Sequence, residues 1–267
     1  MRINKLISVL TFILLFGMSG YSQVLQKDTT YHVIPYSFIV KYDTSRYEAL
    51  LTIKKSYSIE DRIIFERIFE SEIIDIKPYK PSKDEREYIL IDTYTGGAHC
   101  CISVLIGYFE NDKFKISDDI YLGNTWYHLE DFNKDGRDEI VTNNDMFAYA
   151  FTNYAETRFP LLVYTIEDGA AKDITKIFRN RVLEIIDEFK GELEDYRNFE
   201  CPKTADEGTF NTDAGSVKTI LAAIAASYHS IGETEKGFDL INKFYKCPDK
   251  DEFVKGLKDY EYFKIKF

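Results

Sequence analysis

The stretch Asp131 to Ile140, DFNKDGRDEI, puts oxygen-bearing groups at alternate positions. With Asp131 as position 1, Asn133 stands at 3, Asp135 at 5, the Arg137 carbonyl at 7 and Glu139 at 9. Gly136 falls where such a loop turns sharply. Three carboxylates, one amide oxygen and one backbone carbonyl are hard donors. A curling loop of this kind is what Ca²⁺ needs to gather its roughly 6 to 8 oxygens. Without a cation the acidic side chains repel one another. The expectation is a structural calcium site, with an Asx-rich turn that binds no ion as the competing reading, because Asn, Asp and Gly are turn formers in any case.

A second chemical feature is YTGGAHCC, Tyr94 to Cys101, where His99 precedes two adjacent cysteines. The chain has four cysteines, Cys100, Cys101, Cys201 and Cys247, which allow three connectivities. Cys201 and Cys247 both fall in the C-terminal part and are natural mates. That pairing leaves Cys100 with Cys101 as a vicinal bridge, with Gly96 and Gly97 supplying backbone freedom. It looks strained, since adjacent Cα atoms of a trans peptide are about 3.8 Å apart and ordinary bridges want more. On a strand the two would point to opposite faces, so bridges crossing to the helical part are a second option. Free or metal-bound thiols are the third. Zinc is disfavoured, because three consecutive residues rarely converge on one tetrahedral ion.

Catalysis, if present, would be placed in the His99, Cys100, Cys101 turn as thiol or redox chemistry. The sequence carries no Gly-x-Ser-x-Gly elbow, His-Glu-x-x-His, phosphate-binding glycine loop or Cys-x-x-Cys. Of the other histidines, His229 reads as structural and His128 as a strand residue before the calcium-type loop. No reaction is assignable, and the enzyme question stays open with a leaning towards none.

The compartment decides what these groups can do. Residues 1–22 carry Arg2 and Lys5, then the apolar run Leu6 to Met18, then small residues before Gln23. That is the order of a secretory signal peptide, in a run short for a bilayer span. No cysteine follows it until Cys100, so there is no lipid acceptor. The expectation is a periplasmic or secreted protein without stable membrane insertion, in a setting where thiols pair. The formal charge is −11 at pH 7, with no basic cluster, which argues against nucleic acid as a partner.

The elements that must position these groups change character near residue 170. With 45% apolar and 15% aromatic residues, material for a core is ample. Residues 23–170 read as a β-rich domain of short Val, Ile, Tyr and Phe runs separated by Gly, Asn, Asp or Pro. YFENDKF and YTIEDGAAK read as hairpins turning at Asn111-Asp112 and Asp168-Gly169. Their surroundings echo each other, with Tyr108 and Tyr164 in matching places. Two weak copies are equally what unrelated hairpins give. SIEDRIIFERIF is the exception, a candidate helix capped by Ser58 with Asp61 near N3, although its β-branched content leaves the assignment open.

Residues 171–267 read as an α-helical domain. Its first helix puts Ile177, Val182, Ile185, Ile186 and Phe189 on one stripe, and three shorter helices follow a polar loop around Cys201. The fold class is therefore α+β, an antiparallel β-domain of propeller-blade-like hairpins followed by helices. The closing DYEYFKIKF either completes the core or docks a partner.

The loop Asp131 to Glu139 resembles the calcium loop of FG-GAP or VCBS-type β-repeats. It departs from an EF-hand, since Thr142 stands at position 12. With YTGGAHCC and the helical tail AASYHSIGETEKGF, the chain over roughly residues 92–245 resembles a group of exported bacterial proteins of unassigned activity. That resemblance implies one folded unit holding both the cysteine turn and the loop, and it transfers no mechanism. The tail is also similar to a single tetratricopeptide-type helix pair, with Ala225, Tyr228, Gly232 and Lys236 in matching order. Gly237, however, stands where a small helix former is expected. One copy makes no superhelical groove, so packing against the β-domain is the expectation. The sequence thus points to a calcium-binding protein with a binding or structural role towards an envelope component or another protein.

Overall fold

A computed structural model describes residues 26–55, 62–82, 84–97 and 100–266. The expected signal peptide, the cap at Ser58 to Asp61 and His99 lie outside the described residues.

Among the described residues, the first two-thirds of the chain folds into three antiparallel sheets of four strands each, and the remainder is helical. Sheet one runs in chain order through β1 (Gln26–Val33), β2 (Tyr36–Asp43), β3 (Glu48–Lys55) and β4 (Ile63–Phe69). Alternation dictates its buried face. Phe38, Val40 and Tyr42 on β2 lie opposite Ile53, Leu51 and Ala49 on β3, and all six are buried. The candidate helix is corrected here: Ile63 to Phe69 form an edge strand, and among its residues only Phe69 is fully buried. The β-branched Ile63 and Ile64 suit the pleat of that edge better than a helix turn.

Sheet two comprises β5 (Glu72–Tyr79), β6 (Tyr88–Tyr94), β7 (Ile102–Glu110) and β8 (Lys113–Gly123). Its hairpin turn has Asn111 at φ 52° and Asp112 at φ 57°, the left-handed pair that a two-residue connection between twisted strands requires. Sheet three comprises β9 (His128–Glu130), β10 (Glu139–Asn143), β11 (Leu161–Glu167) and β12 (Ala170–Asp173). Asp168 at φ 53° and Gly169 at φ 81° make its last turn the same way. The two echoing hairpins are thus the third and fourth strands of consecutive sheets, so the echo falls at equivalent positions.

The cores form a stack. Ile89 and Ile91 of β6 face sheet one, together with Ile73, Ile76 and Phe114. Tyr88 and Leu90, on the opposite face, pack with Ile140 and Ile166 of sheet three. Sheet three then turns Val141, Leu161 and Val163 to the helices. Central strands covered on both faces read as continuous apolar runs, as in YILI.

The helices are α1 (Arg179–Leu193), α2 (Asp213–Ser230), α3 (Thr234–Phe244) and α4 (Lys250–Asp259). The α1 stripe holds Val182, Ile186, Phe189 and Leu193 buried, with Ile185 partly so. Ile177 departs from it, 62% exposed in a 3₁₀ turn over Thr175–Phe178, where the tighter winding turns Phe178 inward instead. Helix α2 starts at Thr212, whose hydroxyl accepts the Gly215 N–H at 3.3 Å, and is the central helix. Gly237 is explained by close approach of α3: a Cβ there would lie 2.6 Å from the Ala225 Cα. Strands give way to helices between Asp173 and Thr175, yet one core runs across that junction. Tyr260, Tyr262 and Phe263 of the tail pack against it. No described helix is long and apolar enough to cross a membrane.

Candidate functional site

The calcium-type loop joins β9 to β10, so both of its ends are fixed in sheet three. Its curl comes from Lys134 at φ 63° and Gly136 at φ 87°. Each short side chain closes on the loop's own amides. Asp131 Oδ1 accepts the Asp135 N–H and Oδ2 the Gly136 N–H, both at 2.9 Å. Asn133 Oδ1 accepts the Asp135 N–H at 2.8 Å, and Asp135 Oδ1 the Arg137 N–H at 3.0 Å.

Glu139, only 2% exposed, accepts the Phe132 N–H at 2.8 Å on Oε2 and the Asn133 side-chain amide at 2.7 Å on Oε1. Burial raises its pKa above the ordinary carboxylate range, and the nearby charges of Asp135 and Asp131 push the same way against the Phe132 and Asn133 hydrogen bonds. The structure therefore brings Asn133 and Glu139 together and curls Asp131 and Asp135 around Gly136. Among the described residues, however, no three His, Cys, Asp or Glu side chains are gathered closely enough to hold a metal as they stand. The donors are hard oxygens suited to calcium. The Arg137 guanidinium lies 3.9 Å from Glu85 in a loose ion pair and leaves the carbonyl as its possible contribution to the loop.

The four cysteines form two bridges, Cys100 with Cys101 and Cys201 with Cys247. The first pair precedes β7 and is not on a strand. The peptide between them is cis and their Cα atoms are 3.0 Å apart, closer than the trans spacing assumed from sequence. The Tyr121 hydroxyl lies 2.9 Å from the Cys101 Sγ and 3.5 Å from the Cys100 Sγ. Thr95 is tied across the turn, its N–H to the Cys101 carbonyl at 3.2 Å and its hydroxyl accepting the Cys101 N–H at 2.7 Å. The second bridge, with Cα atoms 5.3 Å apart, fastens the polar loop to the connection between α3 and α4.

Two features escaped sequence reading. The first is a buried charge network. Asp92, 4% exposed, accepts the Tyr127 hydroxyl at 2.7 Å and pairs with Lys77 at 3.0 Å, which also reaches Asp75 at 2.8 Å. Burial raises the Asp92 pKa against those partners. The second is a cavity of about 150 Å³ beside the vicinal bridge, bounded by Tyr94, Cys100, Asn124, Trp126 and Tyr154. The signal that could have found it is the chain's one Trp, in GNTWY between two strands. His229 is buried, with Nδ1 2.7 Å from the Thr234 hydroxyl and Nε2 2.9 Å from the Tyr262 carbonyl, a structural placement. His128 lies 2.9 Å from Glu130 on the surface.

No family model matches the chain, and no solved structure matches it. A probable thylakoid lumen protein of Synechocystis sp. is 32% identical over 89 residues, which is 33% of this chain and 26% of that protein. The chain thus matches about a quarter of the length of that curated relative.

Proposed function

We propose that this is an extracytoplasmic calcium-binding protein with a binding or structural role in the periplasm or cell envelope. The observation that carries the reading is the Asp131 to Glu139 loop, in which a buried carboxylate and two further acids share one turn. An ion would be held by Asp131, Asn133, Asp135, the Arg137 carbonyl and Glu139. Its charge would offset the burial that raises the Glu139 pKa and the smaller repulsion from Asp135 and Asp131 that adds to it. The likeness of this loop to FG-GAP and VCBS-type repeats, in a stack of four-stranded sheets, supports the same reading.

The compartment rests on three supports. Residues 1–22 have the order of a signal peptide, all four cysteines are paired as suits an oxidising setting, and the matched relative is described as lumenal. A thiol or redox enzyme using the His99 to Cys101 turn is disfavoured while both sulfurs are bridged. Mass spectrometry of the unreduced protein, finding an alkylatable Cys100 or Cys101, would revive it.

The test of the ion is a thermal melt in chelator and then in millimolar Ca²⁺, repeated with Asp135→Ala. An ion bound only by the folded state, at a hundredfold excess over its Kd, adds about 2.7 kcal/mol of stability. A shift present in the wild type and absent in the variant is expected. Equal melts with and without calcium would reduce the loop to a turn.

A further inference from the structure

The turn from Gly123 to Tyr127 is fixed at almost every residue. The Asn124 N–H and side-chain amide donate to one oxygen of Asp145 at 2.8 and 2.9 Å, and the Asn124 carbonyl accepts the Tyr154 hydroxyl at 2.7 Å. The Thr125 hydroxyl lies 2.9 Å from both the Leu122 and Asn143 carbonyls, and the Trp126 carbonyl accepts the Thr142 hydroxyl at 2.9 Å. Tyr127 is anchored on Asp92. Gly123, at φ 60°, has no room for a Cβ against the Asp145 carboxylate. From this rigid backbone Trp126 nevertheless projects 62% exposed. An indole left in water on a fixed support contributes little to folding, while large aromatic surfaces are favoured where a ligand covers them.

The cavity next to Trp126 has the matching chemistry. Tyr94, Tyr154 and Ile102 wall it, and Cys100 contributes an edge of the small disulfide ring held under the Tyr121 hydroxyl. No charged side chain lines it among the described residues. Asn124 lines it too. With the amide nitrogen turned to Asp145, its Oδ1 is buried out of a ligand's reach. The ligand should therefore present a flat, weakly positive C–H face to the aromatic rings. It should also carry no negative charge, given the acidic chain. At about 150 Å³ the space suits a single ring, being below the roughly 300 Å³ at the low end of drug-sized pockets.

We propose that the cavity between Trp126 and the Cys100-Cys101 ring is a subsite for one sugar ring of a neutral saccharide. This deepens the binding role proposed above and does not depend on the ion. Trp126 is the chain's one Trp, so its emission reports the site directly. The full protein is titrated in calcium buffer with chito-, cello-, malto- and xylo-oligosaccharides at millimolar concentration, following fluorescence and calorimetry. At least one should give a saturable emission change, with affinity falling about tenfold or more in Trp126→Ala and an unchanged melting temperature in that exposed-residue variant. Four outcomes overturn the inference: no saturable change with any sugar, a bound sugar whose affinity survives Trp126→Ala, preference for a uronic or sulfated oligosaccharide, or preference for free indole. Running the calcium melt on the same sample separates the two readings. Saccharide binding absent with the melt shift intact removes only the subsite. The converse removes only the ion.

Discussion

The two disulfides lie in regions built on opposite terms. Cys201-Cys247 joins positions 46 residues apart and fastens a polar loop to the helical core, where Cys247 is buried. Cys100-Cys101 closes no chain at all and sits on a surface turn beneath an exposed tyrosine. Chain-entropy reasoning assigns a bridge a stability that grows with the logarithm of the loop it closes in the unfolded state. The first bridge therefore belongs to the fold. The second can only shape the few ångströms of surface it occupies, next to an aromatic cavity.

The largest expected effect sharpens that contrast. Replacing Cys201 and Cys247 together by Ser should cost about 4 kcal/mol for a loop of this length. Denaturant unfolding measures it, and a loss no larger than that of the surface pair would break the comparison. Gly237→Leu comes next, at about 1–3 kcal/mol through overpacking of α3 on α2, read in the same assay.

His229 tests the helical region by pH. Burial lowers its pKa below the ordinary 6.5, against the hydrogen bond to the Tyr262 carbonyl, which favours the charged ring. Above pH 6.5 both folded and unfolded forms are neutral. As pH falls below it, the unfolded chain takes up a proton that the folded chain resists, so stability declines. Melts from neutral to mildly acidic pH should fall less steeply in His229→Asn than in wild type. The smallest effect is expected at the other bridge. Cys100→Ser with Cys101→Ser should change stability by under about 0.5 kcal/mol, as surface substitutions do, while altering the cavity wall.

What sequence reveals follows the same division. The hairpin turns at Asn111-Asp112 and Asp168-Gly169 were legible because φ > 0 restricts residue choice there. The α1 stripe was legible because burial repeats at helical spacing. Ile63 to Phe69 was ambiguous because an edge strand exposes apolar residues that mimic a helix face. The candidate oxygens of the loop could be listed from spacing, since alternate oxygens on a curl are a local property. The cavity was not legible. It is assembled from β6, the cysteine turn, the β8 to β9 turn and Tyr154, and nothing local in GNTWY says that Thr125 points inward and Trp126 outward.

The most direct test of the central claim is calorimetric titration of calcium into the chelator-treated full-length protein, alongside Asp135→Ala. The loop predicts one saturable site per chain in the wild type and none in the variant. Heat without saturation, or the same isotherm from both proteins, would contradict it and leave DFNKDGRDEI as a turn held by its own amides.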